Sequence, residues 1–199
     1  MKKIITLSLL VLSLSAFRQE PYEINDAIQD FSLANALDNN NMVSLSDFAK
    51  SKAVVLVFNS PSCAFCKIYD ERLVQLANDF KGQDVTFLFI NPNNASASSE
   101  DSPSNMAKRA KEKGYTFPYL IDGKQKIANR LGATKTPEAF VLKNINGSFV
   151  LKYKGAIDDN PQLASDVTSH YLKDAITSVL TNTAVKVPER RATGCIIKK

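Results

Sequence analysis

The sequence predicts an α/β fold with a mixed central sheet flanked by helices, an N-terminal hairpin and a C-terminal tail. Through residues 53–131, short β-branched runs alternate with segments whose apolar residues have helical spacing. The pattern then changes to two strands joined by a tight turn and followed by a helix. A chain of 199 residues has room for one domain with a sizeable core, plus extensions.

The elements of the first half have local signals. Alternating runs on either side of an Asn-rich turn predict an entry hairpin within 30–48, and Ser46-Asp47 opens a helical turn. The apolar run 53–58 predicts a buried strand. Residues 63–80 have the apolar spacing of a helix, which ends before a glycine, and 85–90 predicts a second buried strand.

The second half begins with a polar loop over 91–101. Pro103 stands at the first position of the helix that follows, and Gly114 ends it. The remaining predicted elements are a short helix over 124–131, strands over 138–142 and 148–153 around a hairpin turn, and a long amphipathic helix over 161–180. Residues 181–199 show no strong period.

Cys63-Ala64-Phe65-Cys66 lies where the first buried strand meets its helix. Two thiols at this spacing can close a small disulfide ring, and the helix N-terminus favours the thiolate of the first. A zinc half-site and a purely structural disulfide are the alternatives. Zinc needs two further ligands, and the chain offers only Cys195 and His170, without finger-like spacing. We therefore expect dithiol redox chemistry, and we expect His170 to be an ordinary helix-surface or half-buried residue.

The N-terminus has the pattern of an export signal: two lysines, an apolar stretch over 4–14 and a small residue, Ala16. The stretch is short for a membrane span, which leaves an uncleaved anchor as the alternative. We predict a signal peptide over 1–16, a linker over 17–29, one domain over 30–181 and a basic, cysteine-containing tail over 182–199. The product would be an exported protein, periplasmic or secreted by a bacterium, without stable membrane insertion after cleavage.

The formal net charge of +5 arises at the two ends of the chain. The first three residues carry two lysines, and residues 186–199 carry five basic residues against one acidic residue. The body between these ends is nearly neutral. This distribution gives no sign of a nucleic-acid surface.

The order β-α-β-α, then a β-hairpin and a helix, is that of the thioredoxin fold. The chain resembles the thioredoxin-like superfamily in its redoxin branch, the AhpC/TSA-type, peroxiredoxin-like proteins. The resemblance covers 30–199. It is carried by the segments 54–58, Cys63 to Lys67, 89–93, 117–120, Gly132 to Pro137, 153–161, 170–172 and 194–198.

The resemblance implies an enzyme, a thiol–disulfide oxidoreductase in which Cys63 attacks and Cys66 resolves the mixed disulfide. It places Thr136 and a cis Pro137 opposite these cysteines, where they shape the substrate-binding face. It implies no metal and no organic cofactor. The expected partners are protein disulfide or dithiol substrates and a redox partner protein that supplies reducing equivalents.

The chain departs from the thioredoxin pattern at two positions. Ser62 replaces the tryptophan before the first cysteine, and Val57 replaces the buried acid. The proton acceptor for Cys66 must then come from elsewhere, with Glu138 and Lys67 as candidates, or from water. The Pro-x-x-x-Thr/Ser-x-x-Cys pattern of peroxiredoxins is half-matched, because Ser60 is present but Leu56 stands at the proline position.

Cys195 is either a third redox thiol that docks on the domain or a lone tail cysteine that only packs. Two alternatives to the main function stay open at this point. One is a thiol peroxidase with Cys63 as its peroxidatic thiol. The other is a copper-binding module that uses Cys63, Cys66 and a third ligand, for which His170 is the best candidate.

Overall fold

The computed structural model describes residues 20–38 and 41–198. The predicted export signal lies outside these residues. The strands, in chain order, are β1 Ala27–Ile28, β2 Ser32–Asn35, β3 Met42–Ser44, β4 Ala53–Phe58, β5 Val85–Asn91, β6 Tyr119–Ile121, β7 Lys135–Thr136, β8 Glu138–Ile145, β9 Ser148–Gly155, β10 Glu189–Arg190 and β11 Cys195–Ile196.

Four α-helices lie in the described part of the chain: α1 Ala64–Asp79, α2 Pro103–Lys113, α3 Lys126–Leu131 and α4 Tyr171–Leu180. Short 3-10 turns stand at Leu45–Phe48, Ser99–Asp101 and Ala164–Asp166. The predicted start of α2 is confirmed: Pro103 follows an N-cap serine, Ser102, whose side chain accepts a hydrogen bond from the backbone of Asn105.

The main sheet has the order β1-β9-β8-β4-β5-β6-β2-β3, and β10 adds to β9. Strands β4, β5 and β6 are parallel, whereas β8 runs antiparallel to β4 and β9 runs antiparallel to β8, which confirms the mixed sheet. β6 and the entry hairpin β2–β3 extend the sheet beyond β5. The turn between β8 and β9 is as predicted, with Asn146 and Gly147 both at positive φ.

Helices cover both faces of the sheet, as predicted. On one face, α1, α2 and α4 pack against Val55, Val57 and Phe89. On the other face, α3 packs against Leu56 and Ile90 together with the segment around Phe31. All six residues of β4 are buried, which explains why this strand reads as a continuous apolar run. The central strand that leads to the two cysteines is therefore held from both sides.

The predicted helix over 161–180 was wrong in its first half, since α4 begins at Tyr171. Asx-type hydrogen bonds hold the preceding segment in a loop. The Asn160 side chain accepts from the backbone of Leu163 at 2.9 Å, and the Asp159 carboxylate accepts from the backbone of Thr168 at 3.0 Å. Short polar side chains that bond to nearby backbone N–H groups compete with helix formation.

The tail after α4, whose sequence shows no strong period, pairs with the domain at two places. β10 runs parallel to β9, with Arg190 opposite Gly155. β11 runs antiparallel to β7, with Cys195 opposite Thr136. A Cβ built on Gly155 would lie 1.7 Å from the Arg190 carbonyl oxygen, so the crossing of β10 requires glycine there.

Candidate active site

Cys63 and Cys66 lie at the junction of β4 and α1, as the sequence predicts. Cys63 is the N-cap residue of α1, with extended backbone at φ −89° and ψ 121°, and its sulfur accepts a hydrogen bond from the Cys66 backbone N–H at 3.4 Å. The Cys63 N–H donates in turn to the Ser60 carbonyl at 3.2 Å. The loop thus places the Cys63 sulfur at the helix N-terminus, where unpaired N–H groups favour negative charge on sulfur.

Cys63 forms a disulfide with Cys195, across 132 residues of chain. All three cysteines lie in the described residues, and Cys66 is the free one. Cys63 is 1% exposed, and its sulfur lies 2.9 Å from the Thr136 carbonyl oxygen. The structure therefore brings the first cysteine of the motif together with the tail cysteine, and it leaves the second cysteine of the motif as a thiol beneath them.

Cys66 is fully buried, and burial raises its pKa to about 12. Three neighbours oppose this effect only in part: a backbone N–H of Ser60, 3.4 Å from the sulfur, the charge of Arg109, and the Thr136 side chain. At neutral pH Cys66 is accordingly a thiol, whereas a disulfide-exchange step needs its thiolate.

Thr136 and Pro137 stand against the cysteines as the resemblance implies, and the peptide bond between them is cis. Thr136 is fully buried and forms β7 together with Lys135. Its carbonyl faces the Cys63 sulfur. These two residues form the wall on which β11 lies.

The two candidates for the proton acceptor of Cys66 have other roles. The Glu138 carboxylate accepts hydrogen bonds from the backbones of Thr134 and Lys135, at 2.8 and 2.9 Å, and burial raises its pKa. Lys67 points to solvent and forms an ion pair with exposed Glu100 at 3.3 Å. Both side chains therefore bond to groups other than the Cys66 sulfur, which argues against either as its proton acceptor.

Val57 stands where thioredoxin has its buried acid, and a buried acid of this chain lies on α1. Asp70, one turn after Cys66, is 1% exposed and accepts from Arg109 at 2.7 Å and from the Tyr115 hydroxyl at 2.5 Å. Burial raises the pKa of Tyr115, so this hydroxyl keeps its proton and donates. Arg109 also donates to the Ser60 carbonyl at 3.0 Å, which ties the charge network to the cysteine loop.

A second buried polar cluster, centred on Asp101, was not predicted from the sequence. Its carboxylate accepts from Ser60 at 2.6 Å, from Ser62 at 2.7 Å and from the Asn93 amide at 3.1 Å. The tail reaches this cluster, because the Lys198 backbone N–H donates to Asn93 at 2.7 Å. The Asn91-Pro92-Asn93 segment was part of the family resemblance and was the available signal, but no hydrophobic period marks a buried polar loop.

His170 precedes α4 and borders a surface cavity that Arg72 and Lys173 also line. Within 20–38 and 41–198, no group of three or more cysteine, histidine or acidic side chains is arranged to hold a metal ion. In the same residues, no helix combines the length and the hydropathy needed to cross a membrane.

Comparison with known proteins identifies the family. The family model described as the AhpC/TSA family matches residues 24–160, more than half of the chain. The chain belongs to the AhpC/TSA family. This AhpC/TSA protein is accordingly a thioredoxin-like oxidoreductase, as the sequence predicted. No curated protein matches the chain at a significant level.

Solved structures share the fold of this chain. A hypothetical protein from Sinorhizobium meliloti 1021 is 32% identical, with a TM-score of 0.80, over 89% of this chain and 94% of its own. An uncharacterized conserved protein from Geobacillus kaustophilus is 34% identical, with a TM-score of 0.81, over 89% and 92%. The peroxidoxin BcpB from Mycobacterium tuberculosis is 18% identical, with a TM-score of 0.54, over 79% and 94%, and it shares the fold.

Proposed function

We propose that this protein is an exported thiol–disulfide oxidoreductase that exchanges disulfides with partner proteins. Cys63 is its attacking sulfur, Cys66 resolves the mixed disulfide, and Cys195 is a third redox thiol that holds Cys63 between turnovers. The observation that carries the proposal is the position of Cys63. Its sulfur lies at the N-terminus of α1, is bonded to a cysteine from another part of the chain, and has a free thiol one helical turn away.

The surroundings of Cys63 support a role in exchange. Reduction of the bond to Cys195 frees the Cys63 sulfur for a substrate, and the Cys66 backbone N–H and the helix dipole then stabilise its thiolate. Thr136 and Pro137 shape the binding face beside it. The cycle needs no metal and no organic cofactor, and its electrons come from or go to a redox partner protein. Residues 1–16 support export by their composition.

Reduction of insulin disulfides by dithiothreitol tests the proposal in four full-length proteins. Wild type accelerates the reaction, and Cys63→Ser abolishes the acceleration because no attacking thiol remains. The double variant Cys66→Ser, Cys195→Ser stops turnover and accumulates the mixed disulfide on Cys63, because no thiol remains to resolve it. Cys195→Ser keeps the activity, since the tail sulfur only holds Cys63 between turnovers. Full activity of Cys63→Ser would contradict the proposal.

A thiol peroxidase is the second candidate, and the Cys63–Cys195 pairing favours it. A peroxidase cycle oxidises one thiol to a sulfenic acid, which a distant thiol then converts to a disulfide. Ser60, the residue that half-matches the peroxiredoxin pattern, argues against this candidate. Its hydroxyl already has partners in the buried polar cluster, since it donates to Asp101 and accepts from Asn93. Stoichiometric consumption of hydrogen peroxide by the reduced protein, far faster than by free glutathione, would favour the peroxidase.

A further inference from the structure

The tail segment 193–198 lies on the active site as an extended peptide would. β11 pairs antiparallel with β7, Cys195 stands opposite Thr136, and the Ile197 N–H donates to the Thr134 carbonyl at 3.2 Å. The Cys195 sulfur is bonded to the Cys63 sulfur. Backbone pairing of this kind does not depend on side chains, so β7 can pair with the backbone of another extended segment.

The position before Cys195 has no room for a side chain. A Cβ built on Gly194 would lie 2.3 Å from the Thr136 carbonyl oxygen, 2.8 Å from its carbonyl carbon and 3.1 Å from the Pro137 nitrogen. All three atoms belong to the backbone, which cannot move aside as the end of a flexible side chain could. Any segment that places a cysteine on Cys63 in this register therefore needs glycine directly before it.

The positions after Cys195 differ in how strongly the domain contacts them. Ile196 is 73% exposed, so this position selects nothing. Ile197 is buried among the apolar side chains on the α3 face of the sheet. Lys198 is held by its backbone, which donates to Asn93 and accepts from Gln125 at 2.6 Å, and by its ammonium group, which donates to Ser62 at 3.0 Å.

We propose that the tail is a built-in stand-in for the substrate and that the groove beneath it binds extended protein segments with the sequence Gly-Cys-x-apolar-Lys. This inference rests on the proposed exchange function and adds the class of substrate to it. The groove consists of β7, the start of β8 and the Asp101 cluster. The Thr136 backbone excludes a side chain at the position directly before the cysteine. The tail and a substrate segment compete for this groove.

The redox partner of the proposed function first reduces the Cys63–Cys195 disulfide, and the tail leaves the groove. The Cys63 thiolate then attacks the cysteine sulfur of a substrate disulfide, a Cys63–substrate disulfide forms, and the second substrate sulfur leaves with the electron pair and takes a proton from solvent. Cys66, as a thiolate, attacks Cys63 and releases the substrate thiol, which leaves a Cys63–Cys66 disulfide. Each step makes one disulfide and breaks one, and the redox partner supplies the two electrons that the substrate disulfide gains.

The test uses the reduced full-length double variant Cys66→Ser, Cys195→Ser, in which Cys63 is the sole cysteine. A peptide with the sequence of residues 193–198 is activated as its mixed disulfide with thionitrobenzoate. Cys63 attacks the peptide sulfur and releases coloured thionitrobenzoate, whose appearance gives the rate. The tail remains in place and competes equally with every peptide. Each rate is divided by the rate of the same peptide with free glutathione, which corrects for its intrinsic reactivity.

We expect alanine at the Gly194 position of the peptide to slow the reaction about tenfold or more, from the cost of forcing a methyl group into a filled space. Aspartate at the Ile197 position slows it by a similar factor. Alanine at the Thr193 position is the matched control and leaves the rate unchanged, because Thr193 is exposed in the tail. These three results together support the groove.

Two contrary outcomes are distinguishable. Equal and fast rates for all peptides would overturn the substrate proposal while leaving the exchange function intact, and the groove would then serve the protein's own tail alone. Rates no faster than those with glutathione for every peptide would overturn the exchange function itself.

Discussion

The pKa of Cys66 leads to a quantitative prediction about the exchange of disulfides within the protein. Transfer of the disulfide from Cys63–Cys195 to Cys63–Cys66 requires the Cys66 thiolate. With a pKa of about 12 in place of 9.0, the thiolate fraction at pH 7 is smaller by about a thousandfold. A more basic thiolate is also a better nucleophile, which recovers about 20- to 30-fold. The net effect is a transfer slower by about 30- to 50-fold than an ordinary cysteine would give.

The raised pKa of Cys66 also fixes how the rate of this transfer depends on pH. The thiolate fraction rises tenfold for each pH unit as long as the pH stays below the pKa. The rate should therefore rise tenfold per unit from pH 7 to pH 10 without levelling. For an ordinary cysteine with a pKa of 9.0, the rate would level above pH 9.

Trapping of the released Cys195 measures the transfer. Oxidised wild-type protein is incubated with excess iodoacetamide at each pH, and alkylation of each cysteine is quantified by mass spectrometry. Cys66→Ser is the matched control and should show no alkylation of Cys195, since nothing in it can displace the tail sulfur. A rate that levels near pH 9, or equal alkylation in the control, would refute this reasoning.

Three further predictions concern the tail, the buried charges and a helix cap. Gly194→Ala should shift the glutathione equilibrium of the Cys63–Cys195 disulfide toward the dithiol by about tenfold, because the methyl group meets the Thr136 backbone. Asp70→Asn should lower the free energy of unfolding in urea by about 3 kcal/mol, because Arg109 stays buried without its partner. Asp122→Ala should lower it by about 1–2 kcal/mol, because its carboxylate accepts three backbone N–H bonds at the start of α3.

Each of these predictions has a control and a contrary result. Thr193→Ala should leave the glutathione equilibrium unchanged, and a shift as large as that of Gly194→Ala would remove the steric explanation. Glu112→Gln breaks an exposed ion pair with Lys108 and should cost less than 1 kcal/mol. If Asp70→Asn lowered the free energy of unfolding by no more than Glu112→Gln does, the buried pair would contribute little. An unchanged free energy of unfolding for Asp122→Ala would remove the capping role.

The parts of the fold that sequence reasoning predicted are those with strong local signals. The run 53–58 is apolar throughout because both faces of β4 are buried, and the cysteines mark where α1 begins. Asn146-Gly147 supplies the two positive φ angles that its hairpin turn needs. Each of these signals lies within a few residues of the structure that it specifies.

The parts that escaped prediction depend on contacts between distant residues. β10 and β11 have two residues each, too few for a period, and they form because the tail meets β9 and β7. The pairing of Cys63 with Cys195 follows from this docking and from no spacing in the sequence. No local sequence pattern marks Asp70 and Asp101 as buried, because burial of a charged residue depends on partners such as Arg109 that lie far along the chain.

The most direct test of the central claim, that Cys63 is the sulfur shared by both disulfides, is a disulfide map of the mildly oxidised protein after acid quenching. We expect wild type to give a linked pair of peptides containing Cys63 and Cys195, with Cys66 recovered as a thiol. In Cys195→Ser the same treatment should join Cys63 to Cys66. A Cys66–Cys195 disulfide in wild type, or two free thiols in the variant, would contradict the account.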